Sequence, residues 1–286
     1  MTFKNFIFSL LLFPSFLIAQ IDIPPASPDA SWSHQLGFTQ ISVSYSRPHM
    51  RSRKIFGALV PYDLLWRTGA GESTRIKFSE DIEFGGKTVK KGQYGLYTIP
   101  GKEAWTIILN EDATLHGDFG YDDKKDVLRV KVKPQESVAT QESFTIELRE
   151  FKPDYSAVLE LKWENTIINI PILSSADSKV MAQIQENLMV QKVENAGLLY
   201  KGAQYYFLQN KDLNQALDWS KKAQIIDEEN LNYILLTTKI LESQNRYSEA
   251  YKSAEKALEL AKKKDMVDEI LLVEQMLSKW KNIKKK

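Results

Sequence analysis

Cysteine is absent from this 286-residue chain, and histidine occurs only three times. The absence of cysteine excludes disulfide bonds, thiolate catalysis, cysteine-ligated zinc and a lipid-modified N-terminal cysteine. His34, His49 and His116 lie far apart and lack the paired spacing of a histidine-rich zinc or iron site. We therefore predict no metal and no cofactor, and a fold that is stabilised by its hydrophobic core alone.

An excess of charge of either sign is also missing. The 38 lysine and arginine residues and 37 aspartate and glutamate residues give a formal net charge of +1. Nucleic-acid binding requires a basic surface that releases counterions from phosphates, so no nucleic-acid partner is expected. The sequence has no Gly-x-Gly-x-x-Gly or Walker loop and no Gly-x-Ser-x-Gly nucleophile elbow. No catalytic residue is predicted.

Long apolar runs are missing except at the N-terminus. Lys4 supplies a positive start, an apolar run follows over residues 6–19, and Ala19 precedes the polar Gln20. This pattern is typical of a signal peptide, here residues 1–20, and is too short for a comfortable membrane span. The alternative is an uncleaved N-terminal anchor. We expect an exported protein, periplasmic or secreted, that does not span the membrane after cleavage.

Residues 21–173 have the side-chain period of strands. Apolar residues recur at every second position in six segments, and polar residues stand between them in most, which indicates antiparallel strands with one wet face. The apolar sets are Ile41, Val43, Tyr45; Trp105, Ile107, Leu109; Leu128, Val130, Val132; Phe144, Ile146, Leu148; Leu159, Leu161, Trp163; and Ile168, Ile170, Ile172.

Turn residues punctuate these segments. Gly85-Gly86 predicts a tight hairpin, while Lys91-Gly92 and Pro100-Gly101 mark two further reversals. Nine or ten short strands without intervening helices favour an antiparallel β-sandwich, jelly-roll-like, with a barrel as the alternative. The strand order cannot be derived from this pattern.

The pattern changes near residue 174. From there to the end proline is absent and glycine occurs twice, while apolar residues recur at helical spacing. The chain is therefore predicted to be an α+β protein of two domains, a sandwich over 21–173 and a helical domain over 174–286. We expect flanking helices at about 179–191 and 266–281, and contact between the helices and the sandwich.

Part of the helical region repeats with a period of 34 residues. The repeat places alanine where two helices of a hairpin approach most closely, at Ala216, Ala223, Ala250 and Ala257, and places Leu213 and Tyr247 at equivalent turns. Small residues at the closest approach of paired helices are typical of tetratricopeptide repeats. The usual tryptophan and glycine of the first helix are missing, and Glu228 replaces the usual proline.

Several ordered motifs resemble one family of exported bacterial proteins, the domain of unknown function 2911. The motifs stand at residues 44–48, 53–57, 59–62, 66–70, 92–100 and 126–132, within a resemblance that covers about residues 27–173. The resemblance implies export and a β-rich domain, and it implies no activity. Where such proteins carry tryptophan and glycine, this chain has His116-Gly117.

One polar cluster is a candidate binding site. Arginine binds carboxylates or phosphates through a planar, bidentate fork, so these residues could present guanidinium groups to an anion or a glycan. The candidate ligand-binding residues are Arg47, Arg53, Trp66, Arg67 and Glu72. The structural alternatives are an Arg67–Glu72 ion pair that holds a loop and a Trp66 that belongs to the core.

A second polar cluster contains Asp118, Asp122, Asp123 and Asp126. Exported loops of this composition can bind calcium, but aspartate is also a common turn residue, and a solvated turn is the favoured interpretation.

Two functions of different classes follow. The first is a non-catalytic binding or scaffold protein of the cell envelope, with a protein or peptide partner at the helical repeat and a small anionic or glycan ligand at the β-domain. The second is a hydrolase that acts on an anionic or carbohydrate substrate near Arg47, Arg67 and Glu72. Tetratricopeptide arrays are chiefly interaction modules, so binding is favoured.

Overall fold

The computed structural model describes residues 22–281. The predicted signal peptide and the last five residues lie outside this range, so the prediction of export stays a prediction. Ten strands are followed by six α-helices, which confirms the α+β arrangement. Among the described helices, none combines the length and the apolar character that crossing a membrane requires.

The strands occupy the first part of the chain. They are β1 (Asp29–Leu36), β2 (Thr39–Ser46), β3 (Thr74–Phe78), β4 (Ile82–Phe84), β5 (Lys87–Val89), β6 (Gly92–Ile99), β7 (Trp105–Asn110), β8 (Asp126–Val132), β9 (Gln135–Arg149) and β10 (Ser156–Ser174).

These strands form two antiparallel sheets. The first sheet has six strands in the order β1-β2-β3-β6-β7-β8, and the second has four in the order β5-β4-β10-β9. One hydrophobic core contains buried residues from both sheets, so the sheets form a sandwich, as predicted. The Gly85-Gly86 hairpin joins β4 to β5, and its two glycines have φ of 58° and 80°, as a tight turn of this kind requires.

The alternating residues point into this core as expected. Ile41, Val43 and Tyr45 of β2 are all buried. The two apolar segments predicted at 159–163 and 168–172 belong to one strand, β10, whose pairing with β9 shifts register between Lys162 and Thr166.

The helices follow without interruption by strands. They are α1 (Ala176–Ile184), α2 (Ala196–Leu208), α3 (Leu213–Ile226), α4 (Leu231–Ser243), α5 (Tyr247–Lys263) and α6 (Val267–Lys281), and a π-helical segment (Gln185–Val190) extends α1.

Alanine packing explains how the helices approach one another. All four predicted alanines and two further ones of α5 are fully buried; the six are Ala216, Ala223, Ala250, Ala254, Ala257 and Ala261. Leu213 and Tyr247 begin α3 and α5 and pack against the helical core. The tetratricopeptide-like interpretation of this region is thus confirmed.

The helices contact the sandwich, as expected. Strand β10 ends at Ser174 and α1 begins at Ala176, so only Ser175 separates them. Lys179 forms an ion pair with Glu80 at 2.9 Å. Nε2 of Gln209 donates a hydrogen bond of 2.9 Å to the carbonyl of Pro153.

Candidate functional site

A long loop over residues 47–73 joins β2 to β3 and carries all five predicted site residues. Loops of this length are uncommon inside compact domains, and binding residues are often found on loops that a rigid scaffold positions. Trp66 pairs with Thr98 of β6 through backbone hydrogen bonds of 2.7 and 3.0 Å. The Glu164 carboxylate accepts hydrogen bonds of 3.4 Å from the amides of Ile55 and Phe56. The loop is therefore held by both sheets.

An aromatic cluster lies beneath this loop. Trp66 stacks on Trp163 with ring centroids 5.9 Å apart and an interplanar angle of 18°, and it contacts Phe144 edge-on at 5.1 Å. Trp66 is only 9% exposed, and its indole nitrogen donates to the carbonyl of Gly69 at 3.1 Å. Trp66 is thus a core residue, one of the two alternatives, because its ring faces other aromatic rings.

Arg47 has a structural role in the sandwich. Its side chain is half-buried, with Nε donating to the carbonyl of Phe144 at 3.2 Å and Nη2 donating to Oγ1 of Thr145 at 3.0 Å. Both acceptors belong to β9, so Arg47 fastens the start of the loop to the second sheet.

Three of the five predicted residues meet at one cavity of about 410 Å³, which we call the arginine cavity. Arg53, Trp66 and Arg67 line it together with Asp118, which the sequence did not assign to this site. Its other lining residues include Pro48, Leu59, Val60, Pro61, Leu64, Gly69, Gly71 and Trp163. The cavity thus combines an apolar wall, an aromatic floor and two guanidinium groups.

The Arg53 guanidinium is held by its own loop. Nε donates to the carbonyl of Met50 at 2.9 Å, and Nη2 donates to the carbonyl of His49 at 2.8 Å. Because an arginine carries five N–H donors, these two bonds leave three donors of Arg53 for a ligand.

Arg67 joins two loops. Nη1 donates to the carbonyl of Gly71 at 3.0 Å, and Nη2 lies 3.6 Å from a carboxylate oxygen of Asp118. The predicted Arg67–Glu72 ion pair is therefore wrong, because Asp118 arrives from the connection between β7 and β8 and takes that place.

Glu72 pairs instead with His116. Oε1 of Glu72 lies 2.8 Å from Nδ1 of His116, and both side chains are more than half exposed. Glu72 also lines a second, smaller cavity of about 190 Å³ with Arg75 and Asp29. The five predicted residues are thus divided: Arg53, Trp66 and Arg67 share a cavity, while Arg47 and Glu72 lie outside it.

The aspartates after β7 have separate partners. Oδ1 of Asp122 accepts from the amide of Lys124 at 3.0 Å, and Asp126 accepts from the Tyr121 hydroxyl at 2.8 Å. Burial and the neighbouring Asp126 raise the pKa of Tyr121. In residues 22–281 no cluster of three or more histidine, aspartate or glutamate side chains is arranged to hold a metal ion.

A buried residue with strained backbone supports the loop. Thr68 is fully buried and has φ of 57°, a left-handed conformation that is an outlier for a β-branched residue. Its carbonyl accepts a hydrogen bond of 2.6 Å from Oγ1 of Thr74, and its own Oγ1 donates one of 3.1 Å to Oγ1 of Thr98. Such strain persists only where the surroundings fix it, often beside binding sites.

The helical domain carries a larger concavity of about 1010 Å³, the helical groove. Ile234, Thr237 and Leu241 of α4 line it, and these residues are almost completely buried. Side chains of α3 and α5 form its two walls, among them Lys221, Ile225, Glu249, Lys252, Lys256, Glu259 and Lys263, and Glu228 contributes from the connection between α3 and α4.

Comparison with known proteins adds a family but no activity. A family model described as "Protein of unknown function (DUF2911)" matches residues 27–172, slightly more than half of the chain. A search of curated proteins finds no match.

Proposed function

The chain belongs to the DUF2911 family, and since that description assigns no activity, we propose from geometry that it is a non-catalytic binding protein of the cell envelope. In this proposal the helical groove holds a segment of a partner protein. The N-terminal residues 1–20 direct the chain out of the cytoplasm, and the sandwich supports the helical domain.

The shape of the helical groove is the observation that carries this proposal. Its floor on α4 consists of Ile234, Thr237 and Leu241, and Ile225 of α3 adds an exposed apolar side chain. The other side chains of its walls are mostly charged or polar. A groove with an apolar floor and polar walls suits an amphipathic segment that places its apolar side chains on the floor.

The charges on the walls favour an acidic segment. Glu249 is paired with Arg246 at 2.7 Å and Glu229 with Lys263 at 2.8 Å, so these carboxylates are already neutralised. No ion pair joins Lys221, Lys252, Lys256, Glu228 or Glu259 to another residue of the range 22–281, so these five groove residues leave a surplus of one positive charge.

Charge reversal in the groove tests the proposal. The full mature chain and its Lys252→Glu/Lys256→Glu variant would be incubated with envelope extracts and with synthetic amphipathic peptides of acidic or basic character. We expect the variant to lose the acidic peptide and the proteins captured by the wild type. Lys201→Glu, an exposed lysine of α2 outside the groove, is the matched control. Equal binding by all three proteins would contradict the proposal.

Hydrolysis is the second candidate, and the Glu72–His116 pair is the observation that favours it. A carboxylate 2.8 Å from Nδ1 orients an imidazole so that its other nitrogen can accept a proton from water. His116 directly precedes Gly117 and Asp118, which contact Arg67, so an anionic substrate held by arginine would lie nearby.

Chromogenic esters, phosphates and glycosides test this candidate. Activity that disappears in His116→Ala and persists in His34→Ala, an exposed histidine elsewhere, would support it. Equal rates in the two variants would exclude the Glu72–His116 pair as the catalytic group.

A further inference from the structure

We propose that the arginine cavity binds a carboxylate that is joined to an apolar chain, such as a fatty acid or the free C-terminus of a hydrophobic peptide. This site lies in the sandwich and is independent of the helical groove.

Spare hydrogen-bond donors are the first argument. Arg53 uses two donors on the carbonyls of Met50 and His49, and Arg67 uses one on the carbonyl of Gly71. The remaining donors of both guanidinium groups belong to residues that line the same cavity. Planar forks of this kind match the two oxygens of a carboxylate.

The charge balance of the cavity selects a monoanion. Among the described lining residues Arg53 and Arg67 are the cations and Asp118 is the anion, which leaves one positive charge. The Arg67–Asp118 distance of 3.6 Å is longer than a hydrogen bond, so Arg67 is only partly engaged. A single carboxylate neutralises the remaining charge, whereas a doubly charged phosphate would exceed it.

Exposed apolar side chains are the second argument. Leu59 and Leu64 line the cavity and are 44% and 59% exposed, and Pro61 and Val60 lie beside them. A sugar would leave this wall without a partner, while an acyl chain or an apolar side chain would remove it from water.

The positions of the arginines are fixed before a ligand arrives. Backbone carbonyls accept hydrogen bonds from Arg53, and the carbonyl of Gly71 accepts one from Arg67, whose guanidinium also lies close to the backbone of Gly117. Binding therefore does not have to order two long side chains, which reduces the entropic cost of association. The volume of about 410 Å³ is within the range typical of sites for small molecules.

Calorimetry with matched probes tests the inference on the full mature chain. The probes are octanoate, octanol, a peptide with a free C-terminal leucine, and the same peptide amidated at its C-terminus. We expect octanoate or the free peptide to bind. Octanol should bind at least about tenfold more weakly than octanoate, or the amidated peptide more weakly than the free one, because the hydrogen bonds to a charged carboxylate are lost. Whichever of octanoate and the free peptide binds more tightly identifies the source of the carboxylate.

Substitution of the arginines provides the second readout. Arg53 is exposed, so the Arg53→Gln variant is expected to fold normally. Its affinity for the acid should be lower by about tenfold or more. Arg51→Gln, which lies in the same loop but does not line the cavity, is the matched control and should bind as the wild type does. Arg67→Gln should resemble Arg53→Gln, with thermal unfolding as a check on its fold.

Three results would overturn the inference. They are no binding of either acid to the wild type, equal binding of the acids and their uncharged counterparts, and unchanged affinity in Arg53→Gln. None of them bears on the helical groove, so failure here leaves the proposed function to its own test.

Discussion

A β carbon added to Gly117 would stand 2.5 Å from Nη1 of Arg67 and 2.7 Å from its Cζ. The guanidinium of Arg67 therefore lies directly against the backbone of the connection between β7 and β8. Gly117 also has φ of 73°, and its carbonyl accepts a hydrogen bond of 3.2 Å from the buried Tyr97 hydroxyl. One glycine thus sets where an arginine of the arginine cavity can stand.

Gly117→Ala is expected to displace Arg67. The left-handed backbone costs alanine about 1 kcal/mol, and the new methyl group pushes the flexible end of Arg67 away. Chemical unfolding should show this modest loss in the free energy of unfolding. The affinity for octanoate should also fall, because Arg67 is displaced in the folded protein. Gly120→Ala is the control, because it has φ of 79° in the same connection but meets only Leu115 at 3.7 Å. Equal octanoate affinity in the two variants would contradict a role for the Gly117–Arg67 contact.

Overpacking should distinguish the buried alanines of the helical domain. Ala257→Leu introduces three carbon atoms at a fully buried position of α5, which should destabilise the domain by about 1–3 kcal/mol. Ala182→Leu in α1 is exposed and serves as control, with an expected change within about 0.5 kcal/mol. Thermal and urea unfolding of the full chain measure both. If Ala257→Leu were neutral, the close helix packing would not exist in solution.

The sequence predicted the elements better than their partners. Alternation identifies Ile41, Val43 and Tyr45 as one face of a strand, because side chains of a strand point in opposite directions in turn. It carries no information on which strand lies alongside, so the crossing of the β4–β5 hairpin to the second sheet could not be derived. The division of β10 into two predicted segments has a local cause, since its register shifts where Glu164 adopts a left-handed conformation.

The same limit applies to the site. Arg53, Trp66 and Arg67 were predicted to act together and do share a cavity, because one loop carries them. Asp118 and His116 were not connected to the site, since they belong to a loop more than forty residues away and face it only after the first sheet has formed. Glycine permits the close backbone approach seen at Gly117, but a glycine in a sequence does not indicate which side chain approaches it.

The ionised carboxylate of Asp112 should stabilise the loop after β7 at neutral pH, and this stabilisation should be lost in acid. Hydrogen bonds from Thr114 and Lys125 lower the pKa of this carboxyl from 3.8 to about 2. A pKa that is depressed in the folded state means that the stabilisation is present above the unfolded value and is lost as the pH falls through about 2. The melting temperature of the wild type should therefore exceed that of Asp112→Asn at neutral pH.

The difference should disappear between about pH 4 and pH 2, as scanning calorimetry across that range would reveal. Asp123→Asn, an exposed residue of the same loop, is the control and should follow the wild type throughout. A difference between wild type and Asp112→Asn that persisted below pH 2 would show that ionisation of Asp112 is not its source.

The Lys179–Glu80 ion pair should report on contact between the helices and the sandwich. The two side chains are 41% and 38% exposed, so a double-mutant cycle with alanine should give a coupling of about 0.2–1 kcal/mol. The coupling should fall with added salt, because exposed charges are screened. Lys222 and Asp218 within α3 offer a comparison pair that needs no contact between the two parts. Zero coupling for Lys179–Glu80 beside a measurable coupling for Lys222–Asp218 would contradict a stabilising role of the Lys179–Glu80 ion pair.

The passage from Ser174 to Ala176 through one residue has a mechanical consequence. There is no slack between the last strand and the first helix, so tension applied to the helices would be transmitted to β10. That strand pairs with β9 along much of its length and with β4 at its end, so its ladder of hydrogen bonds would resist the load. A force applied to the helices would thus act on β10, an interior strand of the second sheet. Because Glu164 of β10 accepts hydrogen bonds from the 47–73 loop, that force would also reach the loop.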